Sequence, residues 1–365
     1  MSTVKDEAID PEVARRRLRN QAPEVYLTEE LGETDVERIV TAMDNRFPQA
    51  SLAIMARWWQ LETYLRTLVY IQMHGLLGPS FASEFPKEQK RQGNTGDFGY
   101  MASSDDGYLP AHFDVGVLFK FVDQHWDSCR HGIGLPKEVW LGRVNELAPV
   151  RHRLAHCRRP HADDASRIEQ VMRDLEPAAN HFLRAYTNWY PVNADLVDPV
   201  VADWARMRHV DAHLVEHGRE RRGVEFELRT VSLPGAQTDG PCVSGSPGRF
   251  WVMHALIRQG GLFIDDYMRE SSVQNLLSLA THIVQPSQHQ IAVTIPAVGD
   301  PTVISDVIGG FLAAVFSART KGDERYSVRH PTRRVRGGLD PRVDAQGILS
   351  VLSELNADDS CSIFG

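Results

Sequence analysis

Four arginines and two histidines fall within ten consecutive residues, Val150-Arg151-His152-Arg153-Leu154-Ala155-His156-Cys157-Arg158-Arg159, with no acid among them. An imidazole titrating near pH 6.5 can take the proton of a ribose 2′-hydroxyl, and a guanidinium can steady the charge of a pentacoordinate phosphorane. Arg and His beside one phosphate therefore suffice for RNA cleavage without a metal. A cationic helix end also has a plainer use, since it complements the negative end of the helix dipole.

Spacing alone does not single out this run. With 34 Arg and 15 His in 365 residues, chance places roughly one or two Arg-x4-His pairs in such a chain. Four occur: Arg151/His156, Arg208/His213, Arg249/His254 and Arg325/His330. The first differs in context, because it follows a Pro-started helical stretch, carries a polar residue directly after the Arg, and has Leu-Ala just before the His.

The elements that would carry it are helices. Between Leu52 and Met73, Ile54, Trp58, Leu61, Leu65 and Leu68 recur at three and four residues, which predicts a buried helix. On it Glu62 and Arg66 stand four apart, where an ion pair is geometrically easy. The polar stretch from Pro79 to Pro110 reads as a long loop. Helices are expected over His112–Trp126, Pro136–Ala148 and Ala165–Tyr190, with Pro149 restarting or kinking the chain before Val150.

This first half resembles the HEPN superfamily of small helical domains. The likeness rests on Trp58-Trp59-Gln60-Leu61-Glu62-Thr63-Tyr64-Leu65-Arg66 in an early helix and Val150-Arg151-His152-Arg153-Leu154-Ala155-His156 at the end of a later one. The second matches the family's Arg-polar-x3-His signature, with His152 where Asn is commonest. The likeness covers roughly residues 45–190. It implies a metal-independent endoribonuclease of a toxin–antitoxin or phage-defence type, with Arg and His of two protomers meeting across a helical interface. In that reading Arg151 and His156 are catalytic, His152, Arg153 and Arg158 hold substrate, Glu62 and Arg66 support the site, and the protein is a homodimer needing no cofactor. Five residues along a helix turn about 140°, which separates Arg151 from His156 in one chain. The alternative is a non-catalytic HEPN dimerisation protein whose C-terminal domain binds a partner or ligand in a defence module.

From residue 191 the pattern changes. A helix over Pro199–His217 is followed by strand-like runs Val224–Ser232 and Phe250–Ile257, a helix over Ser271–Val284, a strand Gln290–Ile295 and a helix Pro301–Arg319. The expected fold class is therefore α plus α/β: a helical extension over 1–44, a helical domain over 45–190 and a mixed α/β domain over 191–365. His209, His213 and His217, spaced four apart, offer a rival metal site, with Asp211 or Glu216 nearby. The segment Arg319–Arg342 holds eight basic residues against three acids and could follow an RNA backbone or dock an acidic partner.

Composition narrows the remaining options. A net charge of −8 argues against a chain coated in basic residues, although 34 of the 40 basic residues are Arg. Cys129, Cys157, Cys242 and Cys361 form no CxxC pair, so neither a thiolate zinc knuckle nor a disulfide framework is expected. The polar start and the lack of a bilayer-length apolar run lead to an expectation of a cytoplasmic protein without membrane contact. No P-loop, GxGxxG or GxSxG signature is present.

Overall fold

The computed structural model describes residues 49–93, 109–191, 199–236, 247–320 and 343–344. The helical extension expected over 1–44, the Arg325/His330 pair and most of the basic tail lie outside these residues.

Helix α1 (Gln49–Leu77) is the spine of the first half. Leu61, Leu65, Leu68 and Ile71 are fully buried, as the three-and-four spacing requires. Around it pack α3 (Val115–Gln124), α4 (Trp126–Ile133), α5 (Lys137–Ala155) and α6 (Asp164–Thr187), after a short α2 (Pro86–Gly93). The stretch expected to be loop from Pro79 thus begins with a 3-10 turn, Gly78–Glu84, and a helix. Phe81 and Phe85 are buried aromatic anchors in that run. The single helix expected over His112–Trp126 is two, broken at His125, whose backbone leaves the helical region. Pro149 neither restarts nor ends α5, which continues through it. Trp140, Leu147 and Val150 bury one side of the helix, and that packing offsets the missing proline N–H.

The second half supplies a sheet in the order β1-β2-β3-β6-β5-β8. Its long strands are β2 (Val224–Ser232), β3 (Arg249–Ile257), β5 (His282–Ser287) and β6 (Gln290–Pro296), all antiparallel to their neighbours among these four. Two-residue segments β1 (Tyr190–Pro191) and β8 (Val343–Asp344) extend the edges, β8 in parallel. A separate pair joins β4 (Gly261–Leu262) to β7 (Arg319–Thr320). The chain is mostly helical with a small, mainly antiparallel sheet, in keeping with the mixed class expected.

Two expected helices are shorter than their patterns suggested. The run Ser271–Val284 is helical only over α10 (Ser271–Leu277), after which Thr281, Ile283 and Val284 favour the extended chain and His282 begins β5. The run Pro199–His217 splits into α7 (Pro199–Ala205) and α8 (His213–His217). Met207, at φ 54°, turns the chain between them. Beyond the sheet come α9 (Ile264–Met268) and α11 (Pro301–Ala318), the latter capped by the Asp300 carboxylate on Thr302 N–H at 2.7 Å.

The strand β3 joins the two halves. Phe250 and Val252, with Val231 and Ala292, complete the core of the first-half helices. Trp251, Met253, Ala255 and Ile257, with Ile291, Val293 and Ile295, face α11 and its neighbours instead. This is the two-residue alternation of a strand buried on both faces. The passage near residue 190 is therefore a change of element type, while packing continues across it. Among the described residues α11 is the one helix long and apolar enough to cross a membrane, and it lies in this second core.

Candidate functional site

The cluster centred on Arg151 lies at the C-terminal end of α5. Arg158 N–H bonds the Arg153 carbonyl at 2.8 Å and Cys157 N–H bonds the Leu154 carbonyl at 3.1 Å, a Schellman closure. Cys157 occupies its left-handed position, at φ 50°, where glycine is usual. This closure reverses the chain, so that Arg158 follows the helix end at once.

A buried carboxylate fixes the loop beyond. Asp164, at the start of α6, is 1% exposed in its side chain and receives two bonds from the Arg153 guanidinium, one of them at 2.7 Å from Nε. It also accepts the His161 N–H at 2.9 Å. Burial pushes the Asp164 carboxyl up, but the bonds from Arg153 and His161 outweigh it and hold the pKa below the ordinary value. Arg153, expected to hold substrate, is thus engaged internally and positions the loop.

Arg151, His152, His156 and Arg158 are all exposed. The rings of His152 and His156 meet edge to face with centroids 4.5 Å apart. Partial desolvation, then the charges of Arg158, His156, Arg151 and Arg153, lower the His152 pKa, so this imidazole is neutral at pH 7. It can accept a proton or a hydrogen bond there, whereas the sequence reading gave it a phosphate-holding role. Among the described residues neither Arg151 nor Arg158 has a salt bridge.

Glu62 and Arg66 do form the expected ion pair. Glu62 accepts Trp58 Nε1 at 3.0 Å, and Arg66 donates to the Phe113 carbonyl at 3.2 and 3.1 Å. These bonds tie α1 to the entry of α3 and make the pair a brace.

The histidine metal site is not assembled. His209 lies in the turn between α7 and α8, stacked on Trp204 and 3.1 Å from Asp306. His213 Nδ1 bonds the Val210 carbonyl at 2.8 Å, and His217 Nε2 accepts Arg222 Nε at 3.4 Å. The broken helix takes His209 off the face that His213 and His217, the two ends of α8, still share. Among the described residues no group of three or more His, Cys, Asp or Glu could hold a metal. The Arg249/His254 pair is on β3, where five residues place side chains on opposite faces.

Two features had no clear signal in the sequence. One is Asp164 as the anchor of the cluster; an acid eleven residues after an Arg has no periodicity to reveal it. The other is a polar seam between α1, α6 and β5. There Tyr186 Oη meets His282 Nδ1 at 3.0 Å and Tyr70 Oη donates to the Thr281 carbonyl at 3.0 Å. Complete burial lowers the His282 pKa to about 3, so its ring is neutral. Beside the seam lies a cavity of about 190 Å³ lined by Tyr70, His74, Phe81, Leu277 and Ala280.

No family model, no curated protein and no solved structure matches this chain.

Proposed function

We propose that the protein is a metal-independent endoribonuclease of HEPN type, acting as a homodimer in the cytoplasm within a toxin or phage-defence system. The observation that carries this reading is the exposed set Arg151, His152, His156 and Arg158, displayed on a helix end whose backbone is held by the Arg153–Asp164 pair. His156 removes the proton of the ribose 2′-hydroxyl. That oxygen attacks phosphorus, the bond to the 5′-oxygen breaks, and the leaving oxygen gains a proton, leaving a 2′,3′-cyclic phosphate. Arg151 steadies the phosphorane charge, and Arg158 holds the neighbouring backbone.

One chain turns Arg151 and His156 about 140° apart around the helix, so a second copy completes the set. An apolar stripe, Leu52, Met55 and Trp59, the last 65% exposed, offers a surface for that copy. The same stripe favours a second reading, a dimerising protein without catalysis that binds a partner in a defence module.

RNA cleavage by the purified protein in EDTA separates the two. Arg151→Ala and His156→Ala should each abolish cleavage, or growth arrest on expression, without lowering the melting temperature. Retained ribonuclease activity in both variants overturns the catalytic assignment. A dimeric but inactive wild type favours the second reading.

A further inference from the structure

The cavity beside the buried seam lies where the two halves meet, and none of its lining residues belongs to the cluster at Arg151. The first half contributes α1 and the 3-10 turns Gly78–Glu84 and Leu109–His112, and the second contributes the link from α10 to β5. The cavity measures about 190 Å³. An apolar cavity of roughly 150 Å³ accepts one benzene ring, so this one has room for a substituted ring or two fused rings.

Its inner wall is aromatic and held in place. His74 and Phe81 have ring centroids 4.4 Å apart with planes inclined at 47°, and Tyr70 stands 4.4 Å from His74 and edge-on to Phe81 at 5.7 Å. All three rings are buried. Two contacts across the halves fix them: Tyr70 Oη donates to the Thr281 carbonyl at 3.0 Å, and Thr281 Oγ1 lies 3.3 Å from His74 Nδ1. Leu109 and Ala280 complete the buried floor. The rim differs, since Ser278 is exposed and Gln92 half-buried, and both bring polar side chains to it. Among the described lining residues there is no Lys, Arg, Asp or Glu. A charged ligand would give up its hydration there with no opposite charge to replace it.

We propose that this cavity binds a small, uncharged, planar aromatic molecule of one or two rings that carries one hydrogen-bonding group. The ring lies against Tyr70, His74 and Phe81, where edge-to-face and offset contacts add to the burial of apolar area. The polar group faces the rim, toward Gln92 and Ser278. A molecule that touches both halves binds the folded chain alone and stabilises it. The site is independent of RNA cleavage at Arg151.

Benzamide is the test molecule, and the readout is the melting temperature of the full-length protein. A saturable rise is expected, reaching about 3–4 °C when benzamide stands at about a hundred times its dissociation constant. Benzoate, which has the same shape but a negative charge, should bind about tenfold more weakly or worse. Cyclohexanecarboxamide, which is not planar, should bind about fivefold more weakly. Ala82→Leu fills the half-buried edge of the cavity and should weaken benzamide about tenfold or more without lowering the melting temperature of the ligand-free protein. If that variant fails to fold, Ser278→Leu at the exposed rim takes its place. Arg151→Ala should bind benzamide as the wild type does. A wild type that responds to neither benzamide nor indole overturns the proposal, as does a cavity-filling variant that binds benzamide unchanged. Benzoate binding as tightly as benzamide refutes the uncharged class, and equal binding of cyclohexanecarboxamide refutes the planar one. Loss of binding in Arg151→Ala moves benzamide to the cationic cluster and overturns the cavity assignment.

Discussion

Replacing Arg153 with alanine should destabilise the protein most at neutral pH and progressively less in acid. The substitution removes two charge-assisted bonds and leaves the Asp164 carboxylate, 1% exposed, with only the His161 N–H. Breaking one partner of a fully buried ion pair costs about 3–5 kcal/mol. Arg153 is 26% exposed, so water reaches part of the site and about 2–3 kcal/mol is expected here. That corresponds to a fall of roughly 3–4 °C in melting temperature for a chain of this size. The wild-type Asp164 pKa lies below its unfolded value, so the pair's contribution is complete above the ordinary carboxylate pKa and is lost as pH falls through the lowered one. In Arg153→Ala the carboxyl is buried without its cation and takes up a proton more readily, so the gap between variant and wild type narrows as pH falls through the variant's raised pKa toward the lowered one of the wild type. Thermal melts across pH, with Asp164→Ala and the double variant closing a cycle, supply the measurement. An Arg153→Ala protein melting within about 1 °C of the wild type at pH 7, or a cycle with no coupling, would refute the anchoring role.

Two further outcomes follow from the backbone and the buried seam. Cys157→Gly relieves a side chain in the left-handed region and should stabilise by about 0.5–1 kcal/mol, less the entropy that glycine adds to the unfolded chain; a lower urea midpoint would show that the turn is unstrained. His282 titrates near 3 when folded and near 6.5 when unfolded, so stability should begin to fall below about pH 6.5 and continue to fall toward pH 3. Replacing the pair by Tyr186→Phe with His282→Leu should flatten that acid slope in urea titrations, and an unchanged slope would remove His282 from the account.

Much of this arrangement was legible in residue patterns, and the failures share a physical cause. The spacing of Leu61, Leu65 and Leu68 announced α1, and the β-branched run of Val224–Ser232 announced β2, because each signal is repeated along one element. The Glu62–Arg66 pair was readable for the same reason, being local to one helix. Thr281 to Val284 was misread as helix because its strand pairing with β6 is a tertiary choice that overrides a short apolar pattern. The histidine stripe failed at Met207, where a left-handed turn that no glycine marks broke the helix. Arg153 was visible as a cation, but its partner was not, since Asp164 reaches it only after the chain has turned back.

The alternation along β3 has a consequence for how the chain is made. Helices α1 to α6 leave the ribosome first, yet Phe250, Val252 and Ala292, which close their core, are synthesised about sixty residues or more after α6 ends. A nascent chain halted before β3 would display Arg151 and His156 on helices whose inner side is still bare. Completion of the candidate nuclease surface is thereby timed to the synthesis of the second half.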